Sequence, residues 1–117
     1  NDAGSSDGFV VVCNDDADSS LASLCAVSYT GSDFQNGPDN IVLRYEGRQI
    51  DALGYGTFSS SETFVGEGSP APYSSSDAGK SLARGPLGDP SLDSDTDDND
   101  TDFSRVSPTP GDGNPRP

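Results

Sequence analysis

The apolar residues of this chain form short runs of strand length, and most of these runs precede Phe64. The first run, residues 9–13, is Phe-Val-Val-Val-Cys and suits a strand buried on both faces. Two further runs, residues 41–45 and 49–55, flank a Gly-containing turn and predict a β-hairpin. Hydrophobic residues make up only 30% of the chain, so the core must be small. These patterns predict an all-β fold.

The two ends of the chain differ in composition from its middle. Residues 1–8 contain only Asn, Asp, Ala, Gly and Ser and predict a flexible leader. Residues 107–117 are rich in Pro and Gly and predict an exit segment. The region between them, residues 9–106, predicts one domain with a long, loop-rich C-terminal part, because 117 residues suffice for one domain and not for two.

The chain is strongly acidic, with a formal net charge of −14 from 20 acidic and 6 basic residues. Nucleic-acid binding needs Lys and Arg to neutralise phosphates, so this charge argues against a nucleic-acid partner. It argues equally against anionic membrane surfaces, and no apolar run approaches the ~20 residues that span a bilayer, so we expect no membrane insertion. Because the chain has no histidine, it lacks the commonest general base and triad member, and we expect no enzymatic activity.

The two cysteines, Cys13 and Cys25, predict a single disulfide in an oxidising compartment. A bridge across a loop of this size stabilises a fold by ~3 kcal/mol in the chain-entropy model. The alternative is a pair of reduced, buried thiols. Between the cysteines, Asp18 predicts the cap of a short helical turn. The bridge and the acidic composition favour a secreted, extracellular or cell-surface protein.

Four segments of the chain, in a particular order, carry a family resemblance. The first three are Gly-Phe-Val-Val-Val-Cys at 8–13, Asn-Gly-Pro-Asp-Asn-Ile-Val-Leu at 36–43 and Gln-Ile-Asp-Ala-Leu-Gly-Tyr-Gly at 49–56. The fourth is a closing signature made of Ser-Leu-Ala-Arg at 81–84, Asp-Thr-Asp-Asp-Asn at 95–99, Asp-Phe at 102–103 and Pro-Thr-Pro-Gly at 108–111. Together they resemble the lamin tail domain family, in the form found in secreted bacterial proteins. The resemblance implies an immunoglobulin-like β-sandwich that is attached to larger extracellular proteins, including nucleases and phosphatases, without being their catalytic part.

The chain departs from the family at its N-terminal side. Family members normally begin with further strands that carry Glu-Leu-x-Asn and Leu-Ser-Gly motifs, and neither motif is present here. A sandwich needs two sheets to bury both inner faces, so the predicted sandwich is incomplete. Three explanations are open: a fragment of a longer protein, completion by a strand of another chain, or a short natural variant with a reduced sheet. The partners expected are the missing strands of its own precursor or identical subunits.

An acidic run precedes Phe103, and its alternating Asp and Asn residues have oxygen atoms suited to Ca²⁺. The candidate ligands are Asp93, Asp95, Asp97, Asp98, Asn99 and Asp102. The run is not an EF-hand, because Asp98 stands where that loop requires Gly and Ser104 where it requires a bidentate Glu. The alternative is a turn in which Asx side chains bond the backbone.

The same run contains the sequon Asn99-Asp100-Thr101. In an exposed acidic loop it would permit an N-linked glycan on Asn99.

These features favour a non-catalytic extracellular or cell-surface module acting in adhesion or assembly. Strand complementation between subunits would extend such a module into a polymer or filament. The alternative function is a calcium-binding accessory domain of a larger secreted hydrolase. No cofactor is expected apart from Ca²⁺ under that alternative.

Overall fold

The computed structural model describes residues 9–85 and 95–113, and its strands confirm the predicted all-β class. The predicted leader, residues 1–8, lies outside the described residues, as do residues 114–117 of the predicted exit segment. Among the described residues, no helix has both the length and the apolar character that crossing a bilayer requires. The helical elements are two 3₁₀ turns, Ser19–Leu21 and Ser75–Asp77, and the single-turn helix α1, Asn99–Asp102. The strands are β1 (Val11–Asn14), β2 (Cys25–Tyr29), β3 (Asp39–Tyr45), β4 (Arg48–Tyr55), β5 (Ser81–Arg84) and β6 (Phe103–Val106).

The described strands pair into three two-stranded sheets. Strands β1 and β2 are parallel, whereas β3 with β4 and β5 with β6 are antiparallel. The described residues group into two compact units, where the sequence predicted one domain over 9–106. The first unit comprises residues 9–33 and 109–113 and contains β1 and β2. The second comprises residues 34–85 and 95–108 and contains β3 to β6.

The first unit is organised around the disulfide. Cys13 and Cys25 are bonded, with their Cα atoms 5.7 Å apart, which confirms the predicted pairing. The predicted helical turn is also present, and the Asp18 carboxylate accepts a hydrogen bond from the Ser20 N–H at 2.8 Å. The prediction that the first apolar run is buried on both faces is wrong. Side chains alternate along β1, so Cys13 is buried while Val12 is 58% exposed.

The second unit is built on the predicted hairpin, which is confirmed. Strands β3 and β4 pair from Asp39 opposite Tyr55 to Tyr45 opposite Arg48. The two residues between the strands, Glu46 and Gly47, have φ angles of 49° and 80°, which is the positive-φ pattern of a two-residue type I′ turn. That turn's twist matches the twist of the strands and sets the pairing of Tyr45 and Arg44, and the register then shifts by one residue between Arg44 and Leu43.

The interior of the second unit combines a few apolar side chains with buried polar ones. Its buried apolar residues are Ala52, Tyr55, Ala71 and Val106. Two of its buried side chains are polar. Asn99 is fully buried and Asp102 is only 2% exposed. Because buried polar groups must be hydrogen-bonded, the bonds of Asn99 and Asp102 are central to this fold.

Candidate functional site

Asn99, predicted from sequence to lie in an exposed loop, is fully buried. Its Nδ2 donates to the carbonyl of Ala52 at 2.9 Å, and its Oδ1 accepts from the N–H groups of Gly54 at 2.8 Å and Glu67 at 3.0 Å. The exposed placement is therefore wrong. A cation on Oδ1 or a glycan on Nδ2 would have to displace bonds that hold β4.

The Asn99 amide takes the place of a neighbouring strand along the outer edge of β4. It presents one N–H and one C=O to that edge, as a peptide group does. Further along, Ala71 donates to the carbonyl of Gly54 at 2.8 Å and accepts from the N–H of Gly56 at 2.9 Å. The outer edge of β4 from Ala52 to Gly56 is therefore closed by non-strand partners.

Asp98 and Asp102, two of the predicted calcium ligands, instead hold the backbone around α1. Asp98 caps the helix and accepts hydrogen bonds from the N–H groups of Ser69 at 2.9 Å and Asp100 at 3.3 Å. Asp102 accepts from the Thr96 hydroxyl at 2.7 Å and the Thr96 N–H at 2.9 Å. Burial by itself would raise the pKa of Asp102, but the bonds from Thr96 and from the Asp98 N–H, together with the charge of Arg84, outweigh it and hold that pKa below its ordinary value. These contacts are those of the Asx-turn alternative.

The predicted ligand set does not converge on one point in the described part of the chain. Asp93 lies outside the described residues. Asp97 is exposed, with a φ of 57°. Asp95 alone joins a carboxylate group, with Asp51 and Glu67, in which one oxygen of each residue lies within 4.8 Å of the others. This acidic triad can hold a metal ion by geometry.

A guanidinium already neutralises much of the acidic triad. Arg84 donates to Asp51 at 2.6 Å and pairs with Asp95 at 2.8 Å, and its guanidinium carbon lies 4.9 Å from the centre of the Phe103 ring. Glu67 differs from the other two acids, because its Oε2 is buried and has no hydrogen-bond partner. Burial, followed by the nearby charges of Asp51 and Asp95, raises the pKa of Glu67. The triad therefore has one carboxylate suited to take up a proton or a cation.

Sequence reasoning missed Asp51, Glu67 and Arg84. They come from β4, a loop and β5, and each is an ordinary charged residue in its own segment. Only the tertiary fold brings them together, so no spacing rule would have selected them.

The second candidate site is the outer edge of β3. Gly54 directs both its N–H and its C=O away from β3, so its partner Asn40 directs its own groups away from β4. Alternation along β3 then directs the backbone groups of Val42 and Arg44 outward as well. The Asn40 N–H is satisfied by the Asp39 carboxylate at 2.8 Å. Within the described residues, no hydrogen bond reaches the outward groups of Val42 and Arg44.

Large apolar side chains are exposed beside this open edge. Ile41, Leu43 and Tyr45 alternate along β3 and share one face. Leu43 is 60% exposed and Tyr45 is 67% exposed. An open edge with exposed apolar side chains is a template for another strand.

A groove of about 320 Å³ lies on the same face of the hairpin. The Tyr55 hydroxyl donates to the carbonyl of Gln35 at 2.7 Å, and the Tyr73 hydroxyl lies 2.9 Å from the carbonyl of Lys80. Burial is the main cause that raises the pKa of Tyr55 to about 12. Because these hydroxyls are bonded to backbone, the groove presents mainly ring and aliphatic surface. Its apolar lining is Phe34, Ile41, Leu53, Tyr55, Tyr73 and Leu82.

No protein-family model, curated protein or solved structure matches this chain.

Proposed function

We propose that this chain is a non-catalytic, extracellular interaction module that binds a partner by accepting a β-strand along the outer edge of β3. The observation that supports this function is the row of unpartnered backbone groups at Val42 and Arg44, beside the exposed side chains of Ile41 and Leu43. Strand addition satisfies such groups with main-chain hydrogen bonds, while alternate side chains supply specificity.

The edge of β3 has few of the devices that normally prevent strand addition. Edge strands are commonly protected by Lys, Pro, a covering segment or an inward-pointing charge. In β3 the outward-bonding residues are Asn40, Val42 and Arg44, and of these only Arg44 is charged. On β4, by contrast, Asn99 and Ala71 cover the edge from Ala52 to Gly56. The difference between the two edges favours β3 as the binding side.

The proposed architecture is an immunoglobulin-like sandwich of the lamin tail type, completed by the added strand. In this proposal the hairpin β3–β4 contributes one sheet and the antiparallel pair of β5 and β6 contributes to the other. The disulfide and the net charge of −14 are compatible with a secreted or cell-surface protein.

The test is a titration with a synthetic peptide of alternating Lys and Val, blocked at both ends, followed by NMR of the full chain. We expect chemical-shift changes and slowed amide exchange at Val42 and Arg44. A matched peptide that is N-methylated on its bonding side should not bind. Tight binding that leaves the β3 amides unprotected would refute strand addition at this edge.

A second candidate function is that of a calcium-binding accessory domain, with the ion at Asp51, Glu67 and Asp95. The observation that favours it is the buried Oε2 of Glu67, which has no hydrogen-bond partner. Three carboxylates alone leave a Ca²⁺ ion short of its usual 6–8 oxygens, so waters or backbone carbonyls would complete the shell.

The melting temperature with and without millimolar Ca²⁺ tests this second function. We expect a rise that Glu67→Gln abolishes and that Asp100→Asn, a change at an exposed acid outside the triad, preserves. If Ca²⁺ leaves the melting temperature unchanged, or if both variants respond like the wild type, the triad is not a calcium site.

A further inference from the structure

We infer that the strand added to β3 is β3 of a second copy of this chain, antiparallel and related by a two-fold axis at Val42. This inference rests on the proposed function and names its partner.

The outward backbone groups of β3 are self-complementary about Val42. In an antiparallel sheet, residues that exchange both backbone hydrogen bonds must both direct their groups toward the other strand. Asn40, Val42 and Arg44 meet this condition, and they are evenly spaced about Val42. A two-fold axis there places Val42 opposite Val42 of the second copy and each Arg44 opposite an Asn40. The Val42 groups and the Arg44 N–H then acquire partners, and the Arg44 carbonyl acquires one when the Asn40 N–H of the second copy exchanges its bond to the Asp39 carboxylate for it.

The same register joins the exposed apolar side chains. Each Ile41 lies opposite Leu43 of the second copy, with Cβ atoms roughly 4.5–5.5 Å apart. Leu53 already pairs with Ile41 within the hairpin, so the apolar row continues across the new junction. Since Ile41 lines the groove, Leu43 of the second copy comes to lie beside the groove. Burial of Leu43, now 60% exposed, is the main apolar gain.

The charges of the hairpin allow this contact even though the whole chain is acidic. Residues 39–55 contain Asp39, Glu46 and Asp51 against Arg44 and Arg48, a net charge of −1 out of the −14 of the whole chain. In the inferred register, Asp39 of the second copy lies opposite Tyr45. Arg48 is paired with Tyr45 on its other side, about two strand spacings or roughly 9–10 Å from that Asp39, within reach of a long side chain.

The covered part of the β4 edge disfavours addition of a further strand. Asn99 and Ala71 occupy the outer edge of β4 from Ala52 to Gly56, so no further strand can pair along that part of β4. The product is a four-stranded sheet in the order β4, β3, β3, β4. A two-fold contact of this kind uses the same patch on both copies and does not propagate. The inferred assembly is thus a closed dimer, whereas the sequence favoured a polymer or filament.

Sedimentation equilibrium of the full chain tests the inference. We expect a monomer–dimer equilibrium that Val42→Pro weakens by at least about tenfold, because proline lacks the N–H that bonds at the axis. Val42→Thr keeps that N–H and should remain dimeric. The Val42 N–H takes no part in the hairpin, so Val42→Pro leaves the bonds between β3 and β4 intact.

A second pair of variants tests the dimer independently, in case the proline variant does not fold. Leu43→Lys places a charge in the shared apolar row and should abolish the dimer. Ile50→Lys removes a similarly exposed side chain, 57% against 60%, from a position away from the edge and should leave the dimer intact. As a register test, Val42→Cys should cross-link to itself on oxidation faster than Leu43→Cys, which would face Ile41.

Self-association and peptide binding, measured on the same chain at low and high salt, distinguish failure of the second-copy inference from failure of strand addition. Two chains of charge −14 repel each other, so added salt should strengthen the dimer, whereas it should weaken binding of the basic Lys-Val peptide. A chain that stays monomeric at about 1 mM, where weak self-association is populated, and still binds the peptide would overturn the second-copy inference alone. A monomer that also ignores the peptide would overturn both. A dimer that is indifferent to Val42→Pro and to Leu43→Lys would also overturn the inference.

Discussion

The polar side chain of Asn99 performs a structural role that in most domains falls to an apolar side chain or a strand. Its amide bonds β4 at Ala52 and Gly54 and also holds the loop at Glu67. The two glycines beside it explain why this packing is possible. A Cβ on Gly66 would lie 2.5 Å from the Gly54 nitrogen, closer than real Cβ contacts, so only glycine lets the loop approach.

Asn99→Asp should destabilise the fold strongly although it changes a single atom type. The carboxylate cannot donate to the Ala52 carbonyl, and it is fully buried without a cation, so we expect a loss of about 3 kcal/mol. The free energy of unfolding in urea at neutral pH measures it. Asn36→Asp, at an exposed position, should stay within about 0.5 kcal/mol of the wild type. Equal losses in both variants would remove the structural role assigned to Asn99.

The Glu67 carboxyl should make the free energy of unfolding depend on pH. Its pKa in the folded chain is raised above the ordinary value of 4.5, so between these two values the folded state binds the extra proton. Stability contributed by this group is therefore present below pH 4.5 and declines as pH rises through the raised pKa. Glu67→Gln should remove that decline, so the variant gains relative to the wild type between acidic and neutral pH.

Glu62 provides the matched control for the pH experiment. Hydrogen bonds from Ser59, one of them from the N–H at 2.7 Å, hold the pKa of Glu62 below its ordinary value. Glu62 therefore contributes stability above its ordinary pKa and loses it as pH falls through the lowered value. Glu62→Gln should change stability with the opposite sign of pH dependence. Parallel pH curves for the two variants would contradict the assignment of both groups.

The turn of the β3–β4 hairpin holds Glu46 in a strained backbone conformation. Glu46 occupies the left-handed region at φ 49°, where side chains other than Asn, Asp and Gly are disfavoured. Glu46→Asn should therefore raise stability by about 0.5–1 kcal/mol, because Asn-Gly is a preferred type I′ pair. Gly47→Ala, at φ 80°, should lower it by about 1 kcal/mol. Thermal unfolding of both variants checks the opposite signs, and a loss in both would argue against a type I′ turn.

The hairpin was predictable from sequence because its information is local. Two apolar runs flank a Gly-containing turn, and the pairing partners are close along the chain. Strands β2 and β6 were not predicted. Cys25–Tyr29 and Phe103–Val106 are short and mixed in polarity, and each pairs with a strand more than ten residues away. Their strand state depends on partners that a local pattern does not contain.

The candidate sites also differ in how far local sequence could predict them. The disulfide was predicted because cysteine is chemically specific and only one pairing exists. The acidic run was correctly singled out as unusual, yet the structure uses Asp98, Asn99 and Asp102 to bond backbone. A carboxylate or amide oxygen suits a cation and a backbone N–H equally well, so residue type alone does not decide between them. Only the positions of Ser69, Thr96 and β4 decide it.

The described chain consists of two compact units with different sources of stability. The unit of residues 34–85 and 95–108 contains two antiparallel strand pairs and the buried residues around Asn99. The unit of residues 9–33 and 109–113 has one parallel pair of strands, and Cys13 is its buried apolar residue among those described. A single two-stranded sheet is marginal in water, so this unit depends on its covalent bridge.

Replacing both cysteines should therefore unfold the first unit selectively. In Cys13→Ser with Cys25→Ser, we expect a loss of about 3 kcal/mol from that unit, because the unfolded loop regains its freedom. Hydrogen exchange reads each unit separately. The Asp15 N–H, bonded to the Tyr29 carbonyl at 2.9 Å, should lose protection, whereas the Gly56 N–H, bonded to the Ala71 carbonyl at 2.9 Å, should keep it. Equal loss of protection at both amides would show that the two units unfold as one, and that the bridge stabilises the β3 edge as well as β1 and β2.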